Sequence, residues 1–471
     1  MRLTAKTFLP SQPVLMGLLA FAAILWTGAI FNDGDTFWHL VAGGWIIDHG
    51  AIPHTDPISF TFQGKPWLMH EWLAEVVMAC VFRLCGWSGL ALLTAAAMGL
   101  TVWLVARVAS RWLGGIALWL TVLLGLALIG PHLLVRPHIL ILPVMAAWIG
   151  ELVEARAEDR KPGWWLIGLM VVWANMHGSF LLGLCLICPF ALEALLAAPA
   201  EKKRAVVMGW GAFGMVALIA SLATPHGLDG LIFPIKLLLM PGIAGVNEWA
   251  AADFSKQSVL EIGLLAALFV LIRQRAEISV IRLVLLLGFL HLTLQHVRQE
   301  MVLGMVAVLL LAAPLGRTFT GTLNGKPGQH RSAYPAMASA VIVILALVTV
   351  RLFVPVAEPR NANTPVEALA AVPETLRVQP VFNNYDFGGY LIWKGVKPFI
   401  DGRTDMYGAD FFARYNSAVA PDPFVLKQTL EDHHIQWTLL RNDSAAVMAM
   451  DHIPGWKRLH TDPQSVVHVR Q

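Results

Sequence analysis

Apolar segments of membrane-crossing character recur through most of this chain and leave few folds open to it. They lie at residues 13–31, 88–106, 113–133, 137–153, 163–176, 179–198, 205–223, 258–272, 280–296, 301–316 and 334–354. A spanning helix needs about 17–25 mostly apolar residues, so the pattern predicts a polytopic α-helical membrane protein of about eleven spans. The shortest, 163–176, is expected to be tilted or half-inserted. Only 14% of the residues are charged, against roughly 25% in soluble domains, which excludes a soluble enzyme. The net charge of +3 is dispersed among short loops and offers no nucleic-acid surface.

Arg2 and Lys6 before the first apolar run look like the start of a signal peptide. No small-residue cleavage site follows and many spans do, so an uncleaved first helix is expected. The four cysteines, Cys80, Cys85, Cys185 and Cys188, fall in apolar stretches and read as packing residues rather than a metal or redox set.

Lys and Arg collect in alternate loops: Arg107 and Arg111; Arg156, Arg160 and Lys161; Lys202, Lys203 and Arg204; Arg273, Arg275 and Arg282; Arg317, Lys326 and Arg331. The positive-inside rule makes that side cytoplasmic, with the N-terminus inside and the polar tail outside. The opposite loops hold Asp33, Asp35 and His39; His70 and Glu71; His132, Arg136 and His138; Asn175 and His177; Thr224 and His226; Asn247 and Glu248; and His296, Arg298 and Glu300. Ionisable groups beside hydrocarbon are costly. Their collection at one membrane face points to a polar cavity there.

The first outer loop, residues 32–87, is too long and too patterned for a connector. Apolar residues from Trp38 to Ile47 recur at helical spacing, predicting an amphipathic helix over 36–48 that ends at Gly50. His70-Glu71 opens a second helix; the residue four past His70 is Ala74, so the zinc-protease motif is absent. His70 and Glu71 are expected to line the site opened by Asp33 and Asp35, orienting substrate or handling protons.

At these residues the chain resembles the GT-C superfamily of membrane glycosyltransferases, which includes protein O-mannosyltransferases, lipid A aminoarabinose transferases and oligosaccharyltransferase catalytic subunits. The shared pattern is an acidic motif directly after span one, here Asn32-Asp33-Gly34-Asp35, then two amphipathic helices, many spans and an outer C-terminal domain. The segment Trp173–Phe180 is similar to a feature of bacterial members. The resemblance covers roughly residues 1–355 and implies a polyprenyl-phosphate-sugar donor arriving from the lipid of the bacterial inner membrane. It also implies transfer with inversion to a glycan, lipid or protein acceptor.

The residue chemistry fits independently. Attack by a hydroxyl needs a proton acceptor, for which Asp35 or Asp33 is placed. The departing phosphate needs cationic donors: Arg298 first, then Arg136, His138 and His296. His177 and Glu248 complete the expected lining. Paired carboxylates also suit magnesium or manganese, so Asp33 and Asp35 are metal-ligand candidates, a point on which GT-C members differ.

Residues 1–356 therefore read as the membrane catalytic domain and 357–471 as a small soluble α/β domain. Strands are expected at 379–383 and 397–401 flanking a helix at 386–393, then a helix at 422–433, a strand at 435–440, a helix at 443–452 and one or two final strands. Asn383–Tyr390 and Asp401–Tyr407 should meet at one sheet edge, where Asp401, Arg403 and Asp405 contact the acceptor or form an internal Arg–Asp pair. Gly388-Gly389 lacks the lysine and full glycine pattern of a nucleotide loop. Two other functions compete. A polysaccharide polymerase or ligase would carry its large polar loop late, and a lipid-linked-glycan transporter would show repeated halves with midplane charges.

Overall fold

The computed structural model describes residues 10–241, 247–319, 334–420 and 423–471. Arg2, Lys6, Lys326 and Arg331 lie outside the described residues. An apolar helix stands at each of the eleven expected segments: α1 (Gln12–Trp26), α3 (Trp72–Ala109), α4 (Gly115–Ile129), α5 (Pro137–Ala157), α6 (Leu166–Met176), α7 (Phe180–Ala197), α8 (Lys203–Ser221), α10 (Val259–Gln274), α11 (Val280–Gln295), α12 (Glu300–Thr318) and α13 (Tyr334–Phe353). Two more precede or interrupt this series, α2 (Asp35–His49) and α9 (Gly227–Leu238). Among the described residues six helices are long and apolar enough to cross a membrane, and shorter apolar helices accompany them.

Residues 32–87 contain α2 and the first part of α3. The side chain of Asp33 caps α2, its Oδ2 accepting from the Thr36 amide and hydroxyl, each at 3.0 Å. Gly50, at φ +61°, ends the helix in the left-handed region. The second loop helix forms the first part of α3 and breaks at Gly86 (φ +57°), after which the chain turns into a span. One end of the bundle collects basic groups paired with acids: Arg107 and Arg111 with Glu154, and Arg111 and Arg160 with Glu158. The other end collects the loops rich in histidine and carboxylate.

The tail contains α14 (Val366–Ala371), α15 (Glu374–Arg377), β1 (Val381–Asn383), α16 (Gly388–Trp393), α17 (Thr404–Val419), α18 (Pro423–Asp432), β2 (Trp437–Arg441), α19 (Ala445–Met450), β3 (Trp456–Thr461) and β4 (Ser465–Arg470). Its sheet has the order β1-β2-β4-β3, with β1 and β2 parallel and the other pairs antiparallel.

Three expectations need correction. Residues 397–401 are not a strand. Their main-chain groups are taken by side chains and by the first outer loop: Asn383 bonds Phe399 N and Ile400 O, and Thr61 bonds Phe399 O. Residues 404–419, with no expected structure, form α17, whose Tyr407, Phe412, Tyr415 and Ala418 are buried. The cysteines are free and exposed rather than packed.

The tail does not stand apart from the helices. One apolar core runs from Phe21 and Leu25 of α1 through Phe37 of α2 and Trp87 of α3 to Val381, Phe387, Tyr390 and Trp437 of the tail. Phe37 meets Tyr390 edge-on at 5.5 Å and Trp87 meets Trp393 at 5.9 Å. Beside this core, Arg403 is fully buried, bonding Asp401 and Asp56 at 2.7 Å and lying 4.7 Å over Trp67. Two loop residues and two tail residues thus share one buried cluster, in which a single arginine serves two carboxylates.

Candidate active site

A cavity of about 850 Å³ opens where the histidine- and carboxylate-rich loops meet the tail. Its deep wall is apolar and comes from the membrane helices: Leu142 and Met145 of α5, Leu182 of α7, Leu238 of α9, Phe289 of α11 and Val302 of α12. Its other wall carries nearly every candidate drawn from the sequence: Asp33, Asp35, His70, Glu71, Arg136, His138, His177, Glu248, His296, Arg298, Arg403 and Asp405. Asp401 stands behind that wall and is fully buried, with Arg403 and Tyr407 as its partners. His132, Asn175 and His226 lie outside the lining. His132 pairs with Glu300, Asn175 ties Trp72 to the ends of α6 and α8, and His226 bonds the Met69 carbonyl.

Arg136 organises the acidic motif. It precedes Pro137, which pushes it into an extended conformation (φ −137°, ψ 163°) and away from the helix it caps. Its guanidinium bonds Asp33, lies 3.1 Å from Asp35 and lies 2.6 Å from Glu248. Burial pushes the Asp33 carboxyl up, but Arg136 and the Thr36 bonds outweigh it and leave Asp33 below the usual carboxylate range. Asp35 goes the other way. Burial, opposed by Arg136 and helped by the charges of Asp33 and Glu248, pushes it up to about 7. Arg136 and Arg298 likewise overcome burial at Glu248 and hold it ionised.

Arg298 is placed differently. It sits on the short turn between α11 and α12, over the Trp249 ring at 4.5 Å, and among the described residues forms no ion pair. Trp249 is fixed in turn by His296, whose Nδ1 bonds its carbonyl at 2.8 Å. The His177 Nδ1 accepts from the Ser179 amide at 3.0 Å, so its Nε2 carries the proton toward Glu71, 3.4 Å away. Burial and the positive Arg298 keep His177 neutral. Burial also raises Glu71 and lowers His70.

The Asp33–Asp35 pair does not suit a divalent cation, because Arg136 already occupies the space between the carboxylates. Among the described residues His39, Glu71 and Glu75 do converge, with ligand atoms within 4.8 Å of one another and the Glu75 Oε2 buried without a partner.

The tail supplies what the sequence left unnamed. Tyr385 bonds Thr404 at 2.7 Å and the Gly402 carbonyl at 3.2 Å. Burial and the nearby Asp35 carboxylate hold Tyr385 protonated. Asn384, Asp386 and Asn416 line the cavity beside it. Burial pushes Asp405, at the start of α17, up to about 6. The signal for Tyr385 was the glycine-rich Asn383–Tyr390 segment; a lone tyrosine carried none.

No protein-family model matches the chain, and no curated protein matches it in sequence. Solved structures do. The chain is similar to ArnT from Cupriavidus metallidurans bound to undecaprenyl phosphate, at 12% identity and a TM-score of 0.52, over 97% of each chain. It is also similar to the arabinofuranosyltransferase AftD from Mycobacteria, at 14% identity and a TM-score of 0.49, over all of this chain and 40% of that one. At such identities the likeness is one of fold: over 97% of its length this chain shares the fold of the ArnT structure.

Proposed function

We propose that the protein transfers a sugar, with inversion, from a polyprenyl-phosphate-linked donor to an acceptor at the outer face of the bacterial inner membrane. The N-terminus lies in the cytoplasm and the tail in the periplasm. The observation that carries this reading is the two-sided cavity: an apolar wall from the helices meets a wall of carboxylates, histidines and Arg298, which forms no ion pair among the described residues. An amphiphile with an isoprenoid chain and a phosphate-linked sugar fits both walls. The undecaprenyl phosphate of the similar ArnT structure supports the same donor class.

In this mechanism Asp35 accepts the proton of the acceptor hydroxyl while that oxygen attacks the anomeric carbon. The bond from that carbon to the phosphate oxygen breaks, and the polyprenyl phosphate leaves with the electron pair. A single displacement inverts the anomeric centre. A base near pKa 7 suits operation at neutral pH. Arg298, which forms no ion pair among the described residues, meets the charge developing on the phosphate. Arg136 is committed to three acids and keeps the motif in register. Asp33, bonded on both oxygens, serves as helix cap and counter-charge.

A polymerase or ligase working on undecaprenyl-linked chains is disfavoured by the early acidic motif, and a transporter by charges gathered at one end of the bundle. Purified protein incubated with a panel of undecaprenyl-phosphate-linked hexoses and pentoses, with water standing in as the acceptor, should slowly hydrolyse at least one to free sugar and undecaprenyl phosphate. The Asp35→Asn protein should release it about 10²–10⁴-fold more slowly. Inertness toward every member of the panel would overturn the reading.

A further inference from the structure

The Asp35 carboxylate rests against the tail's main chain. A methyl group added at Gly402 would stand 2.7 Å from Asp35 Oδ2 and closer still to Oδ1. The same docking brings Gly389 against the Gly34 carbonyl, and Gly34 against the Asp386 carbonyl. The backbone at Gly402 is held from both sides. Its carbonyl accepts from the Tyr385 hydroxyl, and its neighbours Asp401 and Arg403 form the buried ion pair described above.

Gly402 has no φ in the left-handed region, so its backbone would accept an L-residue. What excludes a side chain is the carboxylate. Asp35 is otherwise held by Arg136, through Oδ2, and by the Trp38 side chain, and is 19% exposed. A carboxylate near the start of a helix has free side-chain torsions, and a misplacement of about 1 Å at a reacting group costs on the order of 100-fold in rate.

We propose that Gly402 is a positioning residue for the reaction: the tail's backbone there is the wall that fixes the Asp35 carboxylate in the cavity and keeps bulk water off it. The soluble domain is thereby part of the catalytic centre, not an accessory. This inference rests on Asp35 as the proton acceptor.

The test reads Asp35 directly and needs no identified sugar. Full-length protein in detergent is treated with dicyclohexylcarbodiimide, which modifies protonated carboxyls in apolar surroundings, and labelling at Asp35 is followed by mass spectrometry against pH. The groups facing Asp35 are Asp33, Arg136, Glu248 and Tyr385. None of them is altered by Gly402→Ala. Wild-type protein should label with a midpoint near pH 7. Gly402→Ala should move that midpoint by at least about half a pH unit, with undecaprenyl phosphate binding retained. An unmoved midpoint in a folded Gly402→Ala protein would overturn the positioning role. Should wild-type Asp35 fail to titrate near neutrality, the base assignment fails instead, and the two failures are distinct. If Gly402→Ala is too unstable to label, the same substitution is made in Asp35→Ala. Removing the carboxylate should restore the lost thermal stability, whereas equal instability in both backgrounds would refute the contact.

Discussion

Asp33 and Asp35 share one guanidinium, that of Arg136, yet their carboxyls are displaced in opposite directions. The difference lies in their other partners. Both are buried; Asp33 accepts two bonds from Thr36, while Asp35 has two neighbouring negative charges against it. One motif thereby presents a fixed anion and a group able to take up a proton near neutral pH.

Asp35→Asn is expected to fold, because it keeps the volume and most hydrogen bonds, and to lose about 10²–10⁴ in rate. For wild-type protein the rate should fall as pH drops below about 7 and level off above it, since the protonated carboxyl cannot accept a proton. Asp33 stays ionised across that range. Steady-state transfer between pH 5 and 9 checks both; a flat profile with an active Asp35→Asn protein would move the base elsewhere.

Arg298→Ala should weaken undecaprenyl phosphate binding by about 1.5–3 kcal/mol, roughly 10- to 150-fold in Kd. Arg298→Lys should fall between, keeping charge but losing the planar fork. Calorimetry in nanodiscs reads this without any sugar present.

Arg403→Met strips the counter-charge from Asp56 and Asp401, both buried. Removing one partner of a buried ion pair costs about 3–5 kcal/mol, so the melting temperature should drop sharply. A chain ending near Pro355 should fail to accumulate as a monodisperse species, because Phe37, Trp87 and their neighbours lose the tail residues that cover them. Size-exclusion profiles of detergent extracts decide this.

A reporter active only outside the cytoplasm should be active when fused near Ser59, near Lys256 and after Asn361, and silent near Asp159 and Lys203. Activity at Lys203 would reverse the sidedness and put the cavity in the cytoplasm.

The helical membrane class, the position of each apolar helix and the gathering of titratable groups at one end of the bundle were legible in the sequence. These follow from hydropathy, 3.6-residue periodicity and charge placement, all local along the chain. Other features depend on partners far away in sequence. Residues 397–401 read as a strand by composition, but their main-chain groups are satisfied by Asn383 and Thr61 instead of a neighbouring strand. Nothing local to Asp33-Gly34-Asp35 says which carboxyl keeps its proton, since that depends on an arginine about a hundred residues on, at position 136, and on Glu248. Arg403 had an internal Arg–Asp pair as one of its sequence readings, but its second partner, Asp56, belongs to the first outer loop. That long-range pair, and the meeting of Gly402 with Asp35, bind the tail to the membrane domain, because buried charge and close backbone approach are satisfied only between segments that the fold brings together.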